Sequence, residues 1–147
     1  MRFPFDVFPS FWAKVKELAE NRQIRSLDKV RNELYSKEDE LKMWCQTNLP
    51  NDFFLSSMDC LNSYQHVITW ADNHPQYFRR AKDVFLHADR ADAWLVGYAI
   101  YDNCKICTQE VSAPQSQKSI KIPDACIAHS VDYETTVQML RALNVQI

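Results

Sequence analysis

Residues 91–110 read ADAWLVGYAIYDNCKICTQE, and the fold turns on how this stretch is parsed. Asp89 or Asp92 opens a helix through about Tyr101. Ala93, Trp94, Leu95, Val96, Ala99 and Ile100 then make that helix apolar nearly all round, the pattern of a buried helix. Asp102-Asn103 turns the chain, Lys105–Thr108 has the composition of a short strand, and Glu110 lies at its exit. An acid at a helix start and another at a strand's end is how an open α/β protein gathers carboxylates at the carboxyl edge of a parallel sheet.

Working upstream, the spacing predicts a helix over Tyr77–Leu86, carrying Arg79, Arg80 and Lys82. A longer helix is expected from a Ser56 or Ser57 cap to about Asn73, stopped by His74-Pro75. Phe53-Phe54-Leu55 reads as a short buried strand. Glu38–Asn48 is helical with an acidic start that suits a helix N-terminus. Ser26 or Asp28 caps a helix that carries Glu33, after an extended piece at Gln23–Leu27. Ser10 caps the first helix, which runs to about Asn21. Phe3, Phe5 and Phe8 are expected to face the core.

Downstream, residues 112–119 (SAPQSQKS) form the most polar, turn-rich loop. A short helix around Cys126 follows, then a strand within His129–Tyr133. The last helix covers Glu134–Leu143 with Val137, Leu140 and Leu143 inward. Strands alternating with helical patterns argue for an α/β fold with a parallel sheet, in one domain spanning residues 1–147.

Composition narrows the function. The 147 residues carry 17 basic and 19 acidic side chains, net −2, so no global basic field advertises a nucleic-acid partner and any polyanion contact is local or metal-mediated. The single glycine, Gly97, excludes the glycine-rich phosphate loops of nucleotide-binding folds. No apolar run approaches the roughly 20 residues that span a bilayer. The proline-broken N-terminus is not a signal peptide, and an odd count of five cysteines fits reduced thiols, so the expected location is the cytoplasm. Cys104-Lys105-Ile106-Cys107 is a lone C-x-x-C without the second pair that zinc sites need, and its cysteines read as ordinary half-buried residues.

Three segments, in order and at matching spacing, carry a resemblance over essentially the whole chain. They are FPFDVFPSFW followed by DKVRNEL, then FL-x4-ADAWLVGYA from Phe85, then CTQE followed by IKIPDAC. Together they resemble a bacterial branch of the PIN-domain superfamily, the fold of many toxin–antitoxin ribonucleases. The resemblance implies a three-layer α/β/α domain that binds Mg²⁺ or Mn²⁺ and cleaves RNA, is held by a protein antitoxin and is often dimeric. By position it makes Glu33, Asp92 and Glu110 the catalytic metal ligands, with Thr108 orienting a ligand or a water. Lys118 and Lys121, shortly after Glu110, are the favoured RNA contacts.

One departure qualifies what is expected. Members of that superfamily begin with an apolar strand ending in an Asp-x-Asn-type motif, upstream of the segment that opens here with Met1-Arg2-Phe3. Asp6 lies downstream of that strand's position and is not its aspartate. The resemblance therefore implies a domain whose central first strand is absent, with a gap in the sheet and exposed apolar surface. A catalytically inactive remnant acting as a binding or regulatory module is the alternative it leaves.

Overall fold

A computed structural model describes residues 1–147. The order is α1 (Pro9–Glu20), β1 (Ser26–Leu27), α2 (Asp28–Tyr35), α3 (Glu40–Asn48), β2 (Phe54–Leu55), a 3₁₀ turn (Ser57–Cys60), α4 (Leu61–Asn73), α5 (Arg79–Phe85), α6 (Asp92–Asp102), β3 (Ile106–Cys107), α7 (Ile122–Ala128), β4 (Tyr133–Glu134) and α8 (Thr136–Ala142). The chain is a helix-rich α/β domain. Its strands do not form one central sheet: β1 pairs in parallel with β2, and β3 in parallel with β4, as two separate two-stranded sheets.

The core is built where α6 crosses α4. Val67 and Ala71 of α4 and Val96 of α6 are fully buried. Burying a valine side chain stabilises by about 1.5–3 kcal/mol. The rings of Tyr64 and Trp94 stack at 3.6 Å with 8° between their planes. Gly97 permits this approach, because a Cβ there would lie 2.9 Å from the Tyr64 Cα. Lys29, at the start of α2, sits 5.1 Å over the Trp94 ring and ties α2 to the same crossing.

Several local expectations are corrected. Ser10 does not cap α1: the helix begins at Pro9, with Phe8 at the cap position and no side-chain cap. Pro9 sets the first turn by its fixed φ. Neither Ser26 nor Asp28 caps α2, where Leu27 stands at that position. The Asp28 carboxylate instead accepts the Ser57 amide, with both oxygens at 3.3 Å, and joins the two strand exits. Ser56 does cap, but it caps the 3₁₀ turn rather than α4. Asp39 caps α3 by accepting the Lys42 amide at 2.9 Å. The last helix starts later than expected, under a Thr135/Gln138 capping box, and Val137 is exposed rather than inward. Phe3 and Phe5 are half-buried against Phe11, Trp12 and Trp44, whereas Phe8 is exposed at 39%. Cys104 is half-buried and Cys107 exposed, both free thiols.

Candidate functional site

The acids meet where the N-termini of α6 and α7 approach each other. α6 starts without a side-chain cap of its own, with Ala91 in the cap position. Its first free amide is satisfied from a distance: the Ala91 N–H donates to Glu33 Oε1 at 2.7 Å. That bond fixes the middle of α2 against the start of α6, and it places a carboxylate at the positive end of the helix.

Asp92 is therefore not the cap that its position suggests. Its side chain is 22% exposed, and its nearest cation is Arg90, with Nη2 3.8 Å from Oδ2, beyond hydrogen-bonding distance. Burial pushes the Asp92 carboxyl above the usual carboxylate range, and the neighbouring charges of Glu110 and Glu33 push it further, against the opposing pull of Arg90 and Lys121. Asp92 thus feels both of the other acids singled out from the sequence.

Glu110 is held from two sides. Its Oε2 accepts the Ile122 amide at 2.9 Å, at the first turn of α7. Its backbone N–H donates to Thr108 Oγ1 at 3.1 Å, so Thr108 orients the strand exit that presents the carboxylate. Glu33 and Glu110 each keep one oxygen without a hydrogen-bonded partner, and Asp92 keeps both.

Asp92 and Glu110 line a polar pocket of about 180 Å³ together with Arg80, Arg90, Lys118, Ser119 and Lys121. Lys118 and Lys121 are thus brought to the acids, as the sequence suggests. Arg79 and Arg80 part company. Arg79 faces away and pairs with Asp72 at 2.7 Å and Asp83 at 2.9 Å, whereas Arg80 turns into the pocket. Glu33 lies behind the pocket wall rather than in its lining.

Arg90 and Asp124 escape sequence reasoning. Asp124 is buried, and it accepts Ser112 Oγ at 2.6 Å and the Ala113 amide at 2.9 Å. With Gln76 Nε2 donating to the Pro114 and Ser116 carbonyls, at 2.7 and 2.6 Å, it pins the polar loop that carries Lys118. A polar loop beside a buried acid was the only sequence signal for this clamp. No helical or strand period marks Arg90.

An all-oxygen donor set of carboxylates suits Mg²⁺ or Mn²⁺, which bind through one or two carboxylates and keep several waters. Asp92 and Glu110 meet that chemical requirement. No three His, Cys, Asp or Glu side chains converge closely enough to hold one ion, so Glu33 does not complete a three-carboxylate cage with them.

Fold and pocket together define a helix-rich α/β domain with paired carboxylates rimmed by basic side chains. Compared with known proteins, the chain matches the family described as Domain of unknown function (DUF4411) over residues 1–147, and it belongs to that family. No curated protein and no solved structure matches it.

Proposed function

We propose that this chain is a PIN-like domain of the three-layer α/β/α type, a metal-dependent endoribonuclease acting as the toxin of a toxin–antitoxin pair in the cytoplasm. One observation carries the reading: Asp92 and Glu110 share a pocket with Arg80, Arg90, Lys118 and Lys121. The charge of Glu110 beside the Asp92 carboxylate is relieved by a cation, and flanking basic side chains suit the phosphates on either side of a scissile bond.

Asp92 and Glu110 would hold Mg²⁺ or Mn²⁺, with Glu33 fixing the start of α6 from behind. Bound there, the ion would activate water and stabilise the leaving oxygen in phosphodiester cleavage. Thr108 and the Ile122 amide keep Glu110 in place. Lys118 and Lys121 hold the RNA backbone. No helix is long and apolar enough to cross a membrane. A protein antitoxin and a homodimer are further expectations of the same reading.

A second reading has its own observation. Because no three acids converge on one point, the pocket also suits an inactive module that binds RNA through its basic rim. Incubating the protein and its Glu110→Gln variant with a fluorescently labelled RNA and Mn²⁺ separates the two. Cleavage that is Mn²⁺-dependent and lost in the variant supports the nuclease. RNA binding without cleavage in either protein supports the module.

A further inference from the structure

The polar pocket holds more positive charge than its acids can neutralise. Arg80, Arg90, Lys118 and Lys121 supply four cations against the two anions of Asp92 and Glu110, so the lining is net +2 in a chain that is −2 overall. Only Arg90 among the four has an ion-pair partner, Asp92 at 3.8 Å. Arg79, one residue along α5, is by contrast held between Asp72 and Asp83. Like charges gathered without partners repel one another and destabilise the fold, and a bound anion removes that repulsion.

The four cations fall into two pairs. Arg90 and Lys121 act on the Asp92 carboxyl and oppose its upward shift, so they belong with the acids. Arg80 and Lys118 are set by a different junction. The Phe78 amide donates to Gln117 O at 2.9 Å, which ties the residue before Lys118 to the residue two before Arg80. The same loop is held by Gln76 at Pro114 and Ser116, and by Asp124 at Ser112 and Ala113. The pair is thus brought together by contacts that involve neither Asp92 nor Glu110. Both side chains are exposed and open to an anion from solution. Ala81, Phe85 and Ile120, all buried, give the pocket an apolar floor, and a low-dielectric surface strengthens the charge interactions beside it.

Size and charge select the anion. A pocket of about 180 Å³ is smaller than the roughly 300–1,000 Å³ of sites that enclose a whole small molecule, so it takes one chemical group rather than a nucleotide. A phosphodiester link carries a single negative charge and continues as chain on both sides. A terminal phosphate carries about −1.5 to −2 at pH 7, offers three oxygens and continues on one side only. The planar fork of an arginine and the point charge of a lysine together match that dianion.

We infer that Arg80 and Lys118 form a phosphate subsite, beside the two acids, that holds the dianionic terminal phosphate of an RNA strand. The anchored end then fixes which bond of the strand lies at Asp92 and Glu110. The inference deepens the nuclease reading and rests on it for the RNA, whereas the subsite itself binds phosphate without a metal ion.

The test is anisotropy of a short, fluorescein-labelled single-stranded RNA titrated with the protein in EDTA, where metal-dependent cleavage cannot intervene. The RNA is used with a 5′-phosphate, with a 3′-phosphate, and with hydroxyl ends but two further nucleotides that match the added charge. One phosphorylated form is expected to bind about tenfold more tightly than the charge-matched RNA, the scale of one charge-assisted hydrogen bond, and the form preferred identifies the end. Arg80→Gln and Lys118→Gln should each abolish the preference, and Arg79→Gln should keep it. Inorganic phosphate is the competitor that separates a strand end from the free ion, and it should displace the RNA only far above the dissociation constant of the phosphorylated form. Equal binding of all the RNAs, a preference that survives both variants, or inorganic phosphate competing as tightly as the RNA end would overturn the inference. Mn²⁺-dependent cleavage is read separately on the same proteins. Cleavage without an end preference removes the subsite and leaves the nuclease, and an end preference without cleavage does the reverse.

Discussion

The Ala91 amide donates to Glu33 Oε1 at 2.7 Å, across 58 residues of chain. This bond gives α6 the N-terminal cap that its own sequence lacks and sets Glu33 behind Asp92. Glu110 does the same for α7 through the Ile122 amide. Two acids thus serve as distant helix caps, and the third, Asp92, is left between them with its oxygens free.

That position has a cost for Asp92. Its carboxyl is raised above its unfolded value, so the native state binds the extra proton. The stability linked to this group is fully present below the ordinary carboxylate range and is lost as pH rises through the raised native value. Asp92→Asn is therefore expected to stabilise the protein at pH 7 by roughly 0.5–2 kcal/mol, the scale of relieving an unfavourable charge. Urea midpoints would show the gain at pH 7 and its disappearance at about pH 3, below the usual aspartate value. A loss of stability at pH 7 would mean that Asp92 is better partnered than its surroundings indicate.

Gly97→Ala tests the helix crossing that positions α6. The added Cβ would meet the Tyr64 backbone at 2.9 Å, and a backbone atom has little room to yield. Overpacking of this kind costs about 1–3 kcal/mol. Thermal unfolding should show a clear drop in Tm.

Asp124→Ala should release the loop that carries Lys118. Leaving the Ser112 hydroxyl and the Ala113 amide without their acceptor costs about 1–3 kcal/mol if they stay buried. RNA affinity, measured by anisotropy, should fall with a smaller salt dependence, because a displaced Lys118 no longer replaces a counterion at a phosphate.

Thiol reactivity should divide the five cysteines. Burial pushes the Cys60 thiol up to about 11 and the Cys126 thiol up to about 12, and both side chains are inaccessible. Cys107 is exposed. Alkylation under native conditions, followed by peptide mass mapping, should modify Cys107 first and leave Cys60 and Cys126 intact until unfolding.

The helices were largely legible because most carry apolar residues at helical spacing, and α6 stood out because it is apolar nearly all round. The strands were legible as places but not as a sheet. Two-residue pairings carry no pattern that says which strand meets which. Asp92 illustrates the limit at the site. Its position at a helix start suggests a cap, yet the cap comes from Glu33, a long-range contact that local spacing cannot encode. Lys118 and Lys121 were found through their neighbourhood to Glu110, whereas Arg80 and Arg90 reach the same pocket from other elements. The Thr135/Gln138 capping box was readable in the sequence, and it places the start of α8 one residue after Thr135.

The measurement closest to the central claim is calorimetric titration of Mn²⁺ into this protein and into its Asp92→Ala variant. Saturable binding to the wild-type chain is expected at about one ion per chain, lost in the variant while its fold persists by circular dichroism. Absence of binding to the wild type, or equal binding to both, would contradict the assignment of Asp92 and Glu110 as a cation site.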